Sequence, residues 1–213
     1  GEICRIESQV TGTTTKAEVV GFRDRNLLLM PLGDVQGICP GSEVVATGHS
    51  LRVPVGEELL GRVIDGLGQP LDELGNIPNL PLAELNLSMP HPLKRERITE
   101  TFETGIKAID TFTPLGRGQR LGIFAGSGVG KSTLMGMMAS KAEADVNVIA
   151  LIGERGREVR EFLECDLDEK GRNKSVVVVA ASNEPALTRV KGTFLAMTIA
   201  EHFRSQGKNV LLM

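Results

Sequence analysis

The sequence predicts an α/β core, built on a parallel sheet with helices on both faces, preceded by a small β-barrel. Three observations support this fold class. The runs Val148–Ile152 and Val176–Val179 are almost continuously apolar, which is typical of parallel strands covered on both faces. Such runs alternate with helical segments, as in βαβ units with right-handed crossovers. Residues 1–68 instead contain short strand-like segments separated by turn residues, a pattern typical of a small barrel.

The predicted barrel covers residues 1–68. Turn-forming segments such as Asp24-Arg25-Asn26 and Pro40-Gly41-Ser42 separate its candidate strands. These strands are Glu2–Glu7, Ala17–Phe22, Asn26–Met30, Glu43–Thr47 and Leu59–Ile64. No set of catalytic side chains is recognisable in this region, so we interpret it as a scaffold or assembly module.

A proline-rich connector is predicted over residues 69–97. Each proline disfavours helix at the residue before it. The prolines of this segment are Pro70, Pro78, Pro81, Pro90 and Pro92. Its charged end, Lys94-Arg95-Glu96-Arg97, is mixed in sign, and we interpret it as a solvated face.

Residues 98–213 contain the predicted core. Its candidate strands are Leu121–Ala125, Val146–Gly153, Ser175–Ala181 and Asn209–Met213. Between them, apolar residues recur at helical spacing and predict two buried helix faces. The first face consists of Leu134, Met137, Met138 and Ala142. The second lies within Glu184–Gln206, before the stop signal Gly207, and consists of Leu187, Val190, Phe194, Leu195, Ile199 and Phe203.

A glycine-rich turn connects the first core strand to the first helix. Backbone N–H groups in such a turn converge on phosphate oxygens, and the helix N-terminus adds its own donors and dipole. The residues assigned to this phosphate-binding loop are Ala125, Gly126, Ser127, Gly128, Val129, Gly130, Lys131, Ser132 and Thr133. Lys131 is predicted to reach the β- and γ-phosphates and Ser132 to ligate Mg²⁺. The alternative is an ordinary glycine-rich turn, since the strict motif has glycine where this chain has Ala125.

A second candidate stretch, Gly153-Glu154-Arg155-Gly156-Arg157-Glu158, begins where another core strand ends. Ligands of open α/β sheets bind beyond the carboxyl ends of the strands. Glu154 is therefore a candidate for orienting the water that attacks a γ-phosphate. The alternative is a solvated helix start in which Arg157 and Glu161 pair at i, i+4, and both interpretations can hold together.

Composition narrows the functional classes further. The net charge is −3 and the aromatic residues are seven Phe with no Trp or Tyr, which argues against a nucleic-acid partner. Three scattered cysteines and three isolated histidines predict neither a disulfide framework nor a zinc site. No apolar run approaches the ~18 residues of a membrane span. The start at Gly1 and the end in an apolar run at Met213 suggest an excised segment.

Several longer stretches carry a family resemblance. They are residues 60–72, 104–110, 116–132, 152–159, 198–204 and 209–213. On these residues the chain resembles the type III protein-export ATPases of the bacterial flagellum and the secretion injectisome, which are related to the catalytic subunits of rotary ATPases. Ala125 is normal at the first loop position of that family.

The resemblance implies an α/β RecA-like P-loop core behind an N-terminal β-barrel, in a homo-hexamer that binds ATP and Mg²⁺ between neighbouring subunits. It assigns Glu154 as the catalytic glutamate and places Arg155 near the γ-phosphate. It also implies export chaperones, export substrates and stalk or regulator proteins as partners. The protein would be cytoplasmic and peripheral to the inner membrane, through the export apparatus.

The chain resembles about the first half of a family member. It stops before the acidic residue that supports Mg²⁺, so the core is incomplete and the fragment is expected to be poorly active or inactive. The function expected of the parent enzyme is ATP hydrolysis that energises flagellar protein export, with injectisome secretion as the alternative. A non-catalytic, nucleotide-binding ring subunit is a further alternative, but such subunits carry no carboxylate at the position of Glu154. An RNA translocase with the same core is disfavoured by charge and composition.

Overall fold

The computed structural model describes residues 1–8, 12–77, 80–85, 91, 93, 95–126 and 128–213. Several residues named in the predictions lie outside this described part. They are Pro78, Pro90, Pro92, Lys94 and Ser127.

The N-terminal residues form an antiparallel sheet of four strands within the described residues. The strands are β1 (Ile3–Glu7), β2 (Thr14–Arg23), β3 (Asn26–Pro31) and β4 (Glu43–Ala46). Their order is β3-β2-β1-β4, with a register shift in β2 between Val19 and Gly21. Four of the five predicted barrel strands are thereby confirmed, since each overlaps one of these strands.

A second sheet is entirely parallel and forms the core. Its strands are β6 (Val63–Asp65), β10 (Val146–Ile152), β11 (Ser175–Ala180) and β12 (Val210–Leu212), in the order β12-β10-β11-β6. Every residue of β11 is buried, as expected for a parallel strand with both faces covered. The predicted parallel sheet is confirmed.

Helices cover both faces of this sheet, as predicted. They are α2 (Lys131–Lys141), α3 (Gly156–Glu161), α4 (Glu169–Asn173) and α5 (Ala186–Ser205). A further short helix, α1 (Lys107–Phe112), has no buried residue. On one face, α5 places Leu195, Ile199 and Phe203 against the sheet. On the other face, α2 and α3 pack through residues such as Ala139 and Val159.

The predicted strand at Leu59–Ile64 is wrong in its bounds and in its sheet. Leu59 ends a 3₁₀ turn (Glu57–Leu59), and the strand β6 begins only at Val63. β6 pairs in parallel with β11, placing Val63 opposite Val177. The apolar side chains of β6 fit the buried edge of the core sheet, where Ile64 is fully buried.

The predicted strand at Leu121–Ala125 is also wrong. These residues form no strand among the described residues, and the side chain of Phe124 is 97% exposed. A strand requires hydrogen bonds to a neighbouring strand, and no such bond to this segment occurs within the described part of the chain. Strand-forming residue types are present, but the pairing that would make them a strand is not.

The predicted buried faces of the two long helices need correction. Met137 on α2, and Val190 and Phe194 on α5, are exposed. α2 instead packs through Ala139 and its neighbours, and α5 approaches the sheet closely at Gly192. The other buried members of the predicted faces are confirmed, namely Met138 on α2, Ala142 directly after α2, and Leu195, Ile199 and Phe203 on α5.

The remaining elements are short. They are β5 (Arg52–Pro54), β7 (Leu82–Glu84), β8 (Thr101–Phe102), β9 (Leu115–Gly116) and a π-helical turn (Phe162–Asp166). β5 pairs with β7 and β8 pairs with β9, both antiparallel. Within the described residues, no helix combines the length and the apolarity needed to cross a bilayer.

Two charged contacts hold the N-terminal sheet and the connector against the core. Lys191 of α5 lies 2.8 Å from Glu18 of β2, and the two side chains are 13% and 12% exposed. Near β6, the Arg62 guanidinium donates two hydrogen bonds to Asp72, at 2.7 and 2.8 Å. Asp72 therefore fixes the start of the connector to the edge of the parallel sheet.

Candidate functional site

The glycine-rich turn leads directly into α2. Gly128 and Gly130 adopt left-handed backbone conformations, with φ of 74° and 93°, a region that glycine occupies without strain. A Cβ added at Gly126, Gly128 or Gly130 would meet nothing within 4 Å. These three glycines therefore border open space.

The N-terminus of α2 has free donors. Gly130 is the residue before the helix, and no side-chain hydrogen bond caps this end among the described residues. The first N–H groups of a helix have no partner inside the helix, and the positive dipole end lies there. These features suit a phosphate group, and α2 is long enough, at 11 residues, to present them.

Lys131 and Glu154 face each other across the site. Lys131 is the first residue of α2, and Glu154 follows the end of β10 after Gly153, which has φ of 76°. The Lys131 Nζ lies 3.4 Å from the Glu154 Oε1, with the two side chains 40% and 36% exposed. The Glu154 carbonyl accepts a 2.9 Å hydrogen bond from the Ser182 N–H. The backbone of Glu154 is therefore fixed between two neighbouring strand ends.

A second carboxylate lies beside Glu154. Glu158 of α3 lines the same cleft as Glu154, and its Oε1 accepts from the Arg155 Nη1 at 3.3 Å. Sequence reasoning placed Glu158 only on a solvated helix face, because its position beside Glu154 depends on how α3 is oriented.

Arg155 points along α3. Its side chain is largely exposed, and its Nη1 lies 3.3 Å from the Glu158 Oε1. The predicted i, i+4 pairing of Arg157 with Glu161 is not the one that forms, because the i, i+4 pair on this segment joins Arg160 to Glu164 at 2.7 Å. The structure thus places Arg155 next to the site, with its guanidinium directed at Glu158.

An open cleft of about 1440 Å³ contains these groups. Lys131, Ser132, Glu154 and Glu158 line it together, so the structure brings three of the predicted site residues to one surface. Ala125, Gly126, Gly128, Val129 and Gly130 lead into it, and Thr133 follows Ser132 in the first turn of α2. Ser127 lies outside the described residues.

The donor set near Ser132 suits Mg²⁺ only in part. No cluster of three or more His, Cys, Asp or Glu side chains able to hold a metal occurs in the described part of the chain. Mg²⁺ commonly takes one or two protein ligands together with water and substrate phosphates, and the exposed Ser132 hydroxyl can be one such ligand.

Cys4, Cys39 and Cys165 are all free thiols.

The fold and the loop define a class of protein, a nucleotide-binding domain with an N-terminal β-domain. The model of the ATP synthase alpha/beta family nucleotide-binding domain matches residues 105–213, and that of the family's beta-barrel domain matches residues 1–48. The chain belongs to the ATP synthase alpha/beta family.

Individual relatives narrow the resemblance. The chain is 53% identical to a flagellum-specific ATP synthase of Bacillus subtilis (strain 168), covering 100% of this chain and 49% of the relative. It is 46% identical to a type 3 secretion system ATPase of Xanthomonas euvesicatoria, covering 100% and 48%. The chain thus spans about half the length of the curated relatives it matches.

A solved structure shows the same fold. The assembled ATPase EscN of the enteropathogenic E. coli type III secretion system superposes with a TM-score of 0.87 at 46% identity, covering 99% of this chain and 50% of EscN. The predicted resemblance to type III protein-export ATPases is therefore confirmed, and with it the fold class of an α/β RecA-like core behind a β-barrel domain.

Proposed function

We propose that the full-length protein hydrolyses ATP to energise flagellar protein export. The observation that carries this proposal is the pairing of Lys131 and Glu154 at 3.4 Å, at the N-terminus of α2 and the end of β10. A cation for phosphate and a carboxylate for water then share one cleft. The similarity to flagellum-specific ATP synthases supports the export role.

Each site residue has a defined task in this proposal. The loop amides and the N-terminus of α2 bind phosphate oxygens, and the Lys131 ammonium offsets the charge of the β- and γ-phosphates. The Glu154 carboxylate accepts a hydrogen bond from the attacking water and orients it toward the γ-phosphate. Arg155, adjacent in the chain, can turn from Glu158 toward the γ-phosphate. Ser132 would ligate Mg²⁺, which supplies further charge neutralisation when bound.

The proposed assembly is a homo-hexamer with nucleotide between subunits. It is supported by two solved structures, one of assembled EscN and one of EscN in complex with its central stalk EscO. The N-terminal sheet would act as the assembly module. Export chaperones, export substrates and a stalk protein are the proposed partners, with the ring in the cytoplasm and peripheral to the inner membrane.

The first test is phosphate release from ATP by the full-length protein. Lys131→Ala should weaken nucleotide binding measurably and abolish turnover, because it removes the cation that faces the phosphates while the loop amides and the end of α2 remain. Lys141→Ala is the matched control, since Lys141 lies exposed at the other end of the same helix. Wild-type protein that binds ATP without releasing phosphate would support the non-catalytic ring subunit instead.

The export system is tested separately in cells. Secretion through an injectisome is the second candidate, because a type 3 secretion system ATPase is 46% identical to this chain. Replacing the chromosomal gene with the Lys131→Ala allele should stop flagellar filament growth, counted by electron microscopy. Normal filaments with lost effector secretion would favour the injectisome.

A further inference from the structure

The Lys131 ammonium has a bonding partner inside the site. Its Nζ lies 3.4 Å from the Glu154 Oε1, so one of its donors points at the carboxylate that is proposed to orient water. The phosphates of a nucleotide would require the same ammonium. Glu154 and a phosphate are both anionic, and they therefore compete for Lys131.

The relative strength of the two interactions decides which one prevails. The side chains of Lys131 and Glu154 are 40% and 36% exposed, and solvated ion pairs of this kind contribute little. A phosphate also receives charge-assisted bonds from the loop amides and the end of α2. The nucleotide can therefore displace Glu154 at a small cost in affinity.

Glu154 keeps a backbone partner when Lys131 leaves. Its backbone carbonyl accepts a hydrogen bond from the Ser182 N–H at 2.9 Å. The backbone of Glu154 is thus held beside the cleft without the ammonium. Loss of the ion pair would leave one of its oxygens open to water.

We infer that the Lys131–Glu154 ion pair is a latch that nucleotide phosphates open, so that Glu154 becomes available to water only when Lys131 has moved to phosphate. This inference rests on the proposed function. The latch lowers nucleotide affinity and couples the release of the carboxylate to phosphate binding.

The test is calorimetric titration of the full-length protein with the non-hydrolysable analogue adenylyl imidodiphosphate. Glu154→Gln should lower the Kd about two- to fivefold, as expected for removal of a solvated ion pair. Glu201→Gln is the control for a general charge effect, because Glu201 lines the same cleft from α5, and its Kd should equal that of the wild type.

A double-mutant comparison separates the latch from simple charge repulsion. In a Lys131→Met background, adding Glu154→Gln should leave the Kd unchanged, because no ion pair remains to be broken. An equal gain in both backgrounds, or an unchanged or higher Kd in Glu154→Gln alone, would overturn the latch and leave the proposed function standing. Absence of any binding by the wild type would overturn the proposed function and the latch together.

Discussion

Asp72 is the residue whose replacement should most affect stability. Its side chain is 1% exposed and accepts two hydrogen bonds from Arg62, whose side chain is 13% exposed. It also accepts from the backbone N–H groups of Val63 and Leu74, at 2.9 and 3.2 Å. Asp72→Asn removes the charge at nearly constant shape, so it tests the electrostatic contribution directly.

The expected loss in the free energy of unfolding follows from the pKa of Asp72. This pKa is lowered from 3.8 to about 2, and the hydrogen bonds from Arg62 are the main cause. The shift corresponds to about 2.4 kcal/mol of stability near neutral pH. The substitution also leaves the Arg62 guanidinium without its carboxylate in a mostly buried place. We expect Asp72→Asn to lower the free energy of unfolding at pH 7 by about 2–4 kcal/mol.

The sign of the pH dependence is fixed by the direction of the shift. Because the pKa of Asp72 is lower in the folded state, its contribution is complete well above 3.8 and is lost as the pH falls toward 2. At pH 3 the wild type should have lost about 1 kcal/mol of this contribution. The difference between wild type and Asp72→Asn should therefore narrow by that amount between pH 7 and pH 3.

Urea unfolding followed by circular dichroism measures both quantities. Glu73→Gln is the control, because Glu73 is the exposed neighbour of Asp72, and this variant should unfold like the wild type at both pH values. A loss below about 1 kcal/mol in Asp72→Asn, or a difference that stays constant between pH 7 and pH 3, would refute the reasoning.

Two further predictions concern a mostly buried ion pair and a close backbone contact. Lys191→Met leaves the mostly buried Glu18 carboxylate unpaired, so it should lower the free energy of unfolding by about 2–4 kcal/mol. A Lys191→Met/Glu18→Gln double variant should recover part of this loss. A loss near zero in the single variant would contradict the prediction. Gly136→Ala should cost about 1–3 kcal/mol, because the added Cβ would lie 2.7 Å from the Asp166 carbonyl carbon and closer still to its oxygen. Gly156→Ala, whose Cβ meets open space, should cost nothing in the same urea titration.

The centre of the core sheet could be predicted because its strands are apolar on both faces. Val148–Ile152 and Val176–Val179 fall within β10 and β11. The neighbourhood of Lys131 and Glu154 could also be predicted, since parallel strands bring their carboxyl ends to one edge. Both predictions depend on local patterns and on one general rule of topology.

Long-range pairing and helix orientation could not be predicted. β6 has three residues and pairs with β11, which lies more than 100 residues later in the chain. The sequence of β6 alone does not indicate which strand it pairs with. Leu121–Ala125 has strand-forming residues, yet whether it becomes a strand depends on a neighbour. The position of Glu158 beside Glu154 requires the orientation of α3, which one helical turn of sequence does not specify.

The central claim is that Glu154 orients the attacking water beside a nucleotide held by Lys131. The most direct measurement is the steady-state rate of phosphate release by full-length Glu154→Gln, with Glu161→Gln on the exposed side of α3 as control. The rate should be lower by about 10²–10⁴-fold, or roughly 3–5 kcal/mol of barrier, with nucleotide binding retained and the control unaffected. A rate near that of the wild type would contradict the account.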